Sequence, residues 1–106
     1  MNPRKLRVHS EAQVEIEEAF ERYRQESPST ADRFLAEIGL SLKRIVTNPK
    51  LYPSYTKNTR RRILGSFPFS VVYREKEDTI LIVAIAHAKR REGYWAERLR
   101  AFLVLV

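Results

Sequence analysis

The stretch FSVVYREKEDTILIVAIAH, residues 69–87, contains two apolar segments that are separated by a short polar turn. The first segment has the two-residue period that is typical of a β-strand. The second, ILIVAIA at residues 80–86, is apolar at every position, so both of its faces are apolar and we expect a central strand that is covered on both faces. Because the intervening KED at residues 76–78 is compact and polar, the stretch predicts a β-hairpin.

Two helices are predicted before this hairpin, and the first begins near Ser10. Ser10 followed by Gln13 matches a capping box, in which Ser10 would be the N-cap. Apolar side chains then recur at helical spacing, which predicts a stripe that faces the core. This first stripe consists of Ile16, Ala19, Phe20 and Tyr23.

The second helix follows with almost no linker, so the two helices are expected to be antiparallel neighbours. Ser27 is its predicted N-cap, Pro28 suits the first helical position, and Asn48-Pro49 should end it. The predicted core stripe consists of Ala31, Leu35, Ile38, Leu42 and Ile45, with Phe34 and Val46 beside it.

The remaining elements complete an α+β fold. In KLRVHS at residues 5–10, apolar and polar side chains alternate, which predicts a short first strand. Residues 49–59 are predicted to form an irregular loop. The segment RRRILGS at residues 60–66 predicts another strand. The order is therefore β-α-α-β-β-β, with a helical hairpin on one face of a mainly antiparallel sheet. If the other face is open, a ligand or partner would bind there.

The length and composition indicate one domain over residues 1–106. The chain has no cysteine, which excludes disulfides and thiolate metal sites. No apolar run approaches the roughly 20 residues that span a bilayer, and the N-terminus lacks the features of a signal peptide. We therefore expect a cytoplasmic protein without a membrane partner.

The net charge of +7 is unevenly distributed. Residues 1–56 carry 9 Lys and Arg against 8 Asp and Glu, whereas residues 57–106 carry 11 against 5. A basic C-terminal half favours an acidic partner such as nucleic acid, an acidic protein segment or anionic lipid. A well-solvated surface would explain the same charge.

Basic and aromatic side chains at the strand ends are the candidates for binding a target. Adjacent strands can gather them into one patch, where arginines neutralise phosphates or grip carboxylates and aromatic rings stack on bases. Alternatively the charges are only solvated, and the aromatic rings close the core. The candidates are Arg60, Arg62, Arg74, Lys89, Arg90, Arg91, Tyr94 and Trp95.

His87 is the only histidine deep in the basic half and is a candidate general base. The alternative is that its ring nitrogens bond to backbone or water at the end of a strand. Two distant histidines without cysteine provide too few ligands for a metal, and three glycines form no phosphate-binding loop. We therefore expect neither a metal nor a cofactor.

The final six residues, AFLVLV at 101–106, are all apolar. Such a tail must pack back on the domain, add to a sheet edge or be covered by another chain.

Three segments in order, NPKLYP (48–53), FPFSVVYR (67–74) and HAKRREGYW (87–95), resemble the RelE/ParE superfamily of bacterial toxins, also called plasmid stabilisation proteins. The similarity extends from about Leu6 to Trp95, which implies a core at about 6–95 and a short C-terminal segment at 96–106. It implies the β-α-α-β-β-β fold and a toxin that is neutralised by a cognate antitoxin with an acidic amphipathic segment. A homodimer or a toxin–antitoxin hetero-oligomer would both be compatible with this resemblance.

The superfamily divides by mechanism, and the resemblance is closer to the ParE branch, which acts on DNA gyrase. RelE-like members are instead ribosome-dependent endoribonucleases that cut mRNA, and they commonly place an arginine where this chain has Ser70. In a ribonuclease, His87 would accept a proton, Arg91 would hold the phosphate and Tyr94 would assist.

Ser70 weakens this alternative without excluding it, because Arg62 or Arg74 could reach the same space. We therefore rank a gyrase-directed toxin without catalytic residues first, an mRNA ribonuclease second and a diverged inactive member third. Whether the chain is an enzyme stays open at this point.

Overall fold

The computed structural model describes residues 4–100 and confirms the predicted α+β class. In chain order its elements are β1 (Lys5–Val8), α1 (Ser10–Glu26), α2 (Pro28–Thr47), β2 (Ser54–Tyr55), β3 (Thr59–Ile63), β4 (Phe69–Lys76), β5 (Thr79–His87) and a 3₁₀ turn (Ala96–Arg98). The prediction that residues 49–59 form only an irregular loop was wrong, since β2 lies within it.

The five strands form one sheet in the order β1-β5-β4-β3-β2. The β4–β5 hairpin is confirmed, with a register that runs from Lys76 opposite Thr79 to Phe69 opposite His87. Strand β1 is the exception to the antiparallel pattern, because it pairs in parallel with β5. Strand β5 is therefore an interior strand, as its apolar sequence predicted.

Helix α1 begins one residue differently from the capping-box prediction. His9 is the N-cap, and its Nδ1 accepts a hydrogen bond of 3.1 Å from the backbone N–H of Glu11. The imidazole thereby satisfies one of the free N–H groups at the helix start. Ser10, predicted as the cap, is the first helical residue.

Helix α2 begins as predicted, with Ser27 as N-cap and Pro28 in the first position. Its buried face was predicted with the wrong phase at two positions, because Leu35 is 41% exposed while Ser41 is fully buried. The observed stripe consists of Ala31, Phe34, Ile38, Ser41 and Ile45.

The sheet separates two apolar clusters. Ile80, Ile82 and Ile85 of β5 belong to the cluster under the helices, whereas Leu81 and Val83 belong to the one on the outer face. Both faces of β5 are therefore covered, as predicted.

The outer face is not open, because Trp95 and Leu99 are buried against it. The apolar tail at 101–106 lies outside the described residues. Within residues 4–100, no helix combines the length and apolar character needed to cross a bilayer.

Candidate functional site

His87 ends β5, and its ring is held by the fold. Its Nδ1 accepts a hydrogen bond of 3.0 Å from the backbone N–H of Lys89, and its ring packs edge-on to Phe69 with centroids 5.0 Å apart. A neutral imidazole whose Nδ1 is an acceptor carries its proton on Nε2. The Nδ1 atom of His87 is therefore engaged in a hydrogen bond within the fold.

Tyr94 donates its hydroxyl proton to the carboxylate of Glu15 at 2.6 Å. Burial, followed by the bond to Glu15, raises the pKa of Tyr94 above its usual range. The phenol is therefore harder to ionise than that of a solvent-exposed tyrosine, and its hydroxyl donates to Glu15.

Glu15 accepts four hydrogen bonds, from groups more than sixty residues away in the chain. Besides Tyr94, its donors are the backbone N–H of Ile85 at 3.0 Å and two nitrogens of Arg98 at 2.9 and 3.0 Å. The side chains of Glu15 and Arg98 are only 13% and 10% exposed. This largely buried ion pair fastens the segment 94–98 to helix α1.

The same ion pair completes an edge of the sheet. Strand β1 pairs with β5 only as far as Ile82, so the next residues of β5 have no strand beside them on this side. Glu15 bonds the N–H of Ile85, and Arg98 donates to the carbonyl of Val83 at 3.1 Å. Side chains thus satisfy backbone groups that a strand would otherwise pair.

Two of the predicted target-binding arginines, Arg60 and Arg62, point to the helical side of the sheet. The Arg62 guanidinium donates to the Ser41 hydroxyl at 2.8 Å, and Arg60 donates to the Tyr52 carbonyl at 2.7 Å. Both are engaged in contacts within the fold. They do not line the cavity that the residues after β5 help to form.

A third predicted arginine, Arg74, holds the turn before β3. It donates to the carbonyls of Lys57 and Asn58, two residues with positive φ angles of 60° and 58°. It does not line the cavity that Ser70 lines. Arg74 and Arg62 are therefore both bonded elsewhere in the fold, and neither lines that cavity.

The structure gathers the remaining candidates around a cavity of about 190 Å³, here called the outer-face cavity. It lies at the ends of β4 and β5. Its polar and aromatic lining is Tyr55, Arg61, Ser70, His87, Arg90, Arg91, Glu92, Tyr94 and Trp95. Lys89 instead lines a second cavity of about 420 Å³ beside α1, with Glu15, Glu18 and Arg22.

Trp95 was predicted to bind a target, but the structure buries it. Its side chain is 1% exposed and packs in the outer apolar cluster. The indole therefore has no free face for a base, and the alternative that an aromatic residue closes the core is correct for Trp95.

Sequence reasoning missed Arg61, which lines the outer-face cavity. Arg61 pairs with Val72, and that valine belongs to the outer cluster. Since directly paired residues of an antiparallel sheet share a face, Arg61 points outward. Alternation along β3 predicts that Arg61 faces away from Arg60 and Arg62. Only the pairing of β3 with β4 shows that Arg61 is the one on the outer face.

Within residues 4–100, no three His, Cys, Asp or Glu side chains lie together in a way that could hold a metal ion.

Residues 6–92 match the family model described as ParE toxin of type II toxin-antitoxin system, parDE. The chain belongs to the ParE toxin family. Toxin ParE2 of Mycobacterium tuberculosis, in strains CDC 1551 / Oshkosh and ATCC 25618 / H37Rv, is 32% identical over 85 residues, which are 79% of this chain and 81% of that protein.

A solved structure of the chromosomal ParDE TA system from P. aeruginosa shares the fold of this ParE-family chain. Its TM-score is 0.71 at 21% identity, over 81% of this chain and 97% of the other. The family resemblance from about Leu6 onward and the ParE branch are confirmed by these comparisons. The chain is a ParE-type toxin of a type II toxin–antitoxin system.

Proposed function

We propose that this ParE-family toxin binds DNA gyrase, blocks replication and is neutralised by a cognate antitoxin. The choice of target rests on the hydrogen bonds made by His87 and Tyr94, two side chains that a ribonuclease would use in catalysis. Tyr94 donates its hydroxyl to Glu15, and His87 uses Nδ1 as an acceptor for Lys89. Arg90 and Arg91 are exposed beside them. These observations support a contact surface rather than a catalytic site.

The missing cation at Ser70 supports the same choice. Cleavage of RNA requires stabilisation of the phosphate charge that develops in the transition state, and removing one preorganised donor of this kind costs roughly 2.7–4 kcal/mol. Ser70 offers a neutral hydroxyl, while Arg62 and Arg74 are bonded elsewhere. Ribosome-dependent cleavage of mRNA stays the second candidate, because Arg61 and Arg91 line the same cavity as Ser70 and His87.

The antitoxin is expected to carry an acidic segment that covers part of the basic half. Residues 57–106 have six more cations than anions, which favours an acidic partner. The resulting complex would be a hetero-oligomer, and a homodimer of the toxin alone is the other arrangement compatible with the family.

Two assays on the same purified protein test the proposed target. In the first, the toxin is added to gyrase and relaxed plasmid; in the second, it is added to ribosomes that are translating a defined mRNA. We expect supercoiling to be inhibited and the mRNA to remain intact. Cleaved mRNA together with unaffected supercoiling would overturn the proposal in favour of the ribonuclease.

A further inference from the structure

We propose that the outer-face cavity is a carboxylate-binding site that receives an acidic side chain of the antitoxin. The identity of the partner rests on the proposed function, but the chemistry of the site rests on the cavity itself. Arg61, Arg90 and Arg91 contribute three positive charges to its wall, and Glu92 contributes one negative charge.

Two of these arginines are positioned by aromatic rings. The guanidinium carbon of Arg61 lies 4.1 Å from the ring centroid of Tyr55, and that of Arg90 lies 3.8 Å from the ring centroid of Tyr94. Stacking on a ring restricts the guanidinium but leaves the N–H groups along its edge available to an acceptor. The site is therefore partly organised before a ligand arrives.

Within residues 4–100, no carboxylate forms an ion pair with these arginines. The ion pairs found in the described part of the chain involve Arg4, Arg24, Arg98 and Arg100. Arg61, Arg90 and Arg91 form none there. A carboxylate that enters the cavity can thus make the paired hydrogen bonds that an arginine fork favours.

The size of the cavity favours one acidic side chain. Its volume of about 190 Å³ is below the roughly 300–1,000 Å³ that is common for small-molecule sites. Ser70 also lines it and adds a hydroxyl group that can donate to an anion.

The aromatic rings at the cavity favour protein over nucleic acid. Single-stranded nucleic acid sites use exposed aromatic faces on which bases stack. Here Tyr55 packs against Arg61 and Trp95, with ring centroids 6.1 Å apart in the latter pair, and Tyr94 contacts both Arg90 and Arg98. With these rings already packed, the cavity offers charge without a stacking platform.

Titration calorimetry with two probes of equal length tests this inference on the full chain. The probes are a hexaglutamate peptide and a hexauridylate RNA, each measured at two salt concentrations. We expect the wild-type protein to bind the peptide more tightly than the RNA. We expect Arg61→Gln to weaken peptide binding roughly 10- to 100-fold, because it removes charged hydrogen bonds.

Two further variants separate the site from overall charge and from folding. Arg44→Gln makes the same charge change on an exposed position of α2 and should weaken peptide binding by about twofold or less, since distant charges are screened. Arg61→Lys keeps the charge but loses the planar fork, so its affinity should lie between wild type and Arg61→Gln. Thermal melting of each variant shows that it is folded.

Tighter binding of the RNA than of the peptide would overturn the inference, and so would equal losses in the Arg61→Gln and Arg44→Gln variants. Its failure is distinguishable from that of the proposed function. If gyrase is inhibited while peptide binding is indifferent to Arg61, only the carboxylate site is wrong. If peptide binding depends on Arg61 while gyrase is unaffected, only the proposed target is wrong.

Discussion

Replacing Glu15 with alanine is expected to destabilise the fold by about 3–5 kcal/mol, the usual cost of removing one partner of a buried ion pair. The change would leave Arg98, 10% exposed, without its main partner, and it would free the N–H of Ile85 and the hydroxyl of Tyr94. Glu11, whose carboxylate lies 3.8 Å from Arg98, is 65% exposed and can compensate only in part.

This loss is a large share of the roughly 5–15 kcal/mol by which domains of this kind are stable. At roughly 4–8 °C for each kcal/mol, the melting temperature should fall by more than about 10 °C. Urea unfolding followed by circular dichroism gives the free energy directly, provided that the slope of the transition is unchanged.

Glu18→Ala is the matched control, because Glu18 is exposed and lies one turn along the same helix. Its effect should stay within about 0.5 kcal/mol. Tyr94→Phe removes one of the four hydrogen bonds and should cost roughly 1.5–3 kcal/mol. Equal stability of the Glu15→Ala and Glu18→Ala variants would show that the buried ion pair does not hold segment 94–98 in place.

The core and its ionisable groups give three further predictions. Ile38→Ala should lower the free energy of unfolding in urea by about 2–5 kcal/mol, whereas Leu35→Ala, at a position 41% exposed, should change it by about 0.5 kcal/mol or less. Equal losses of stability would show that α2 presents a different face to the core. Trp95→Ala should cost about 3–5 kcal/mol and expose the outer cluster to a hydrophobic dye, and a wild-type melting curve would contradict its buried position. Burial raises the pKa of Tyr73 from 10.0 to about 12, so between these pH values the folded state keeps a proton that the unfolded chain loses. The urea midpoint should therefore fall from pH 10 to pH 12, and it should fall less in the Tyr73→Phe variant.

Much of the fold could be predicted from local pattern, and the errors have physical causes. Strand β5 is apolar at both parities, and the structure covers it on both sides. Apolar periodicity mispredicts the phase of α2 because Ser41, a polar residue, lies on its buried face. Ser41 is buried because its hydroxyl accepts a hydrogen bond from Arg62, twenty-one positions later. Apolar periodicity carries no information about such a partner.

The candidate site was less predictable because its residues meet through long-range contacts. Alternation along Thr59–Ile63 shows that Arg61 faces away from Arg60 and Arg62, but the register against β4 decides which face is the outer one. Glu15 lies 79 positions from Tyr94, and nothing in the surrounding helix sequence distinguishes it from Glu18. Glu15 can accept the N–H of Ile85 because β1 pairs with β5 only as far as Ile82. The helix sequence alone does not show this.

The most direct test of a contact surface without catalysis compares growth arrest by two variants expressed at equal levels. His87→Gln should arrest growth as wild type does, because His87 supplies no catalytic proton transfer under this mechanism. The Arg90→Gln/Arg91→Gln double variant should lose both arrest and the salt-sensitive part of its binding to gyrase. If instead the folded His87→Gln variant loses its toxicity, with ribosome-bound mRNA cleaved roughly 10²- to 10⁴-fold more slowly than by wild type, the gyrase account is contradicted and the chain is a ribonuclease.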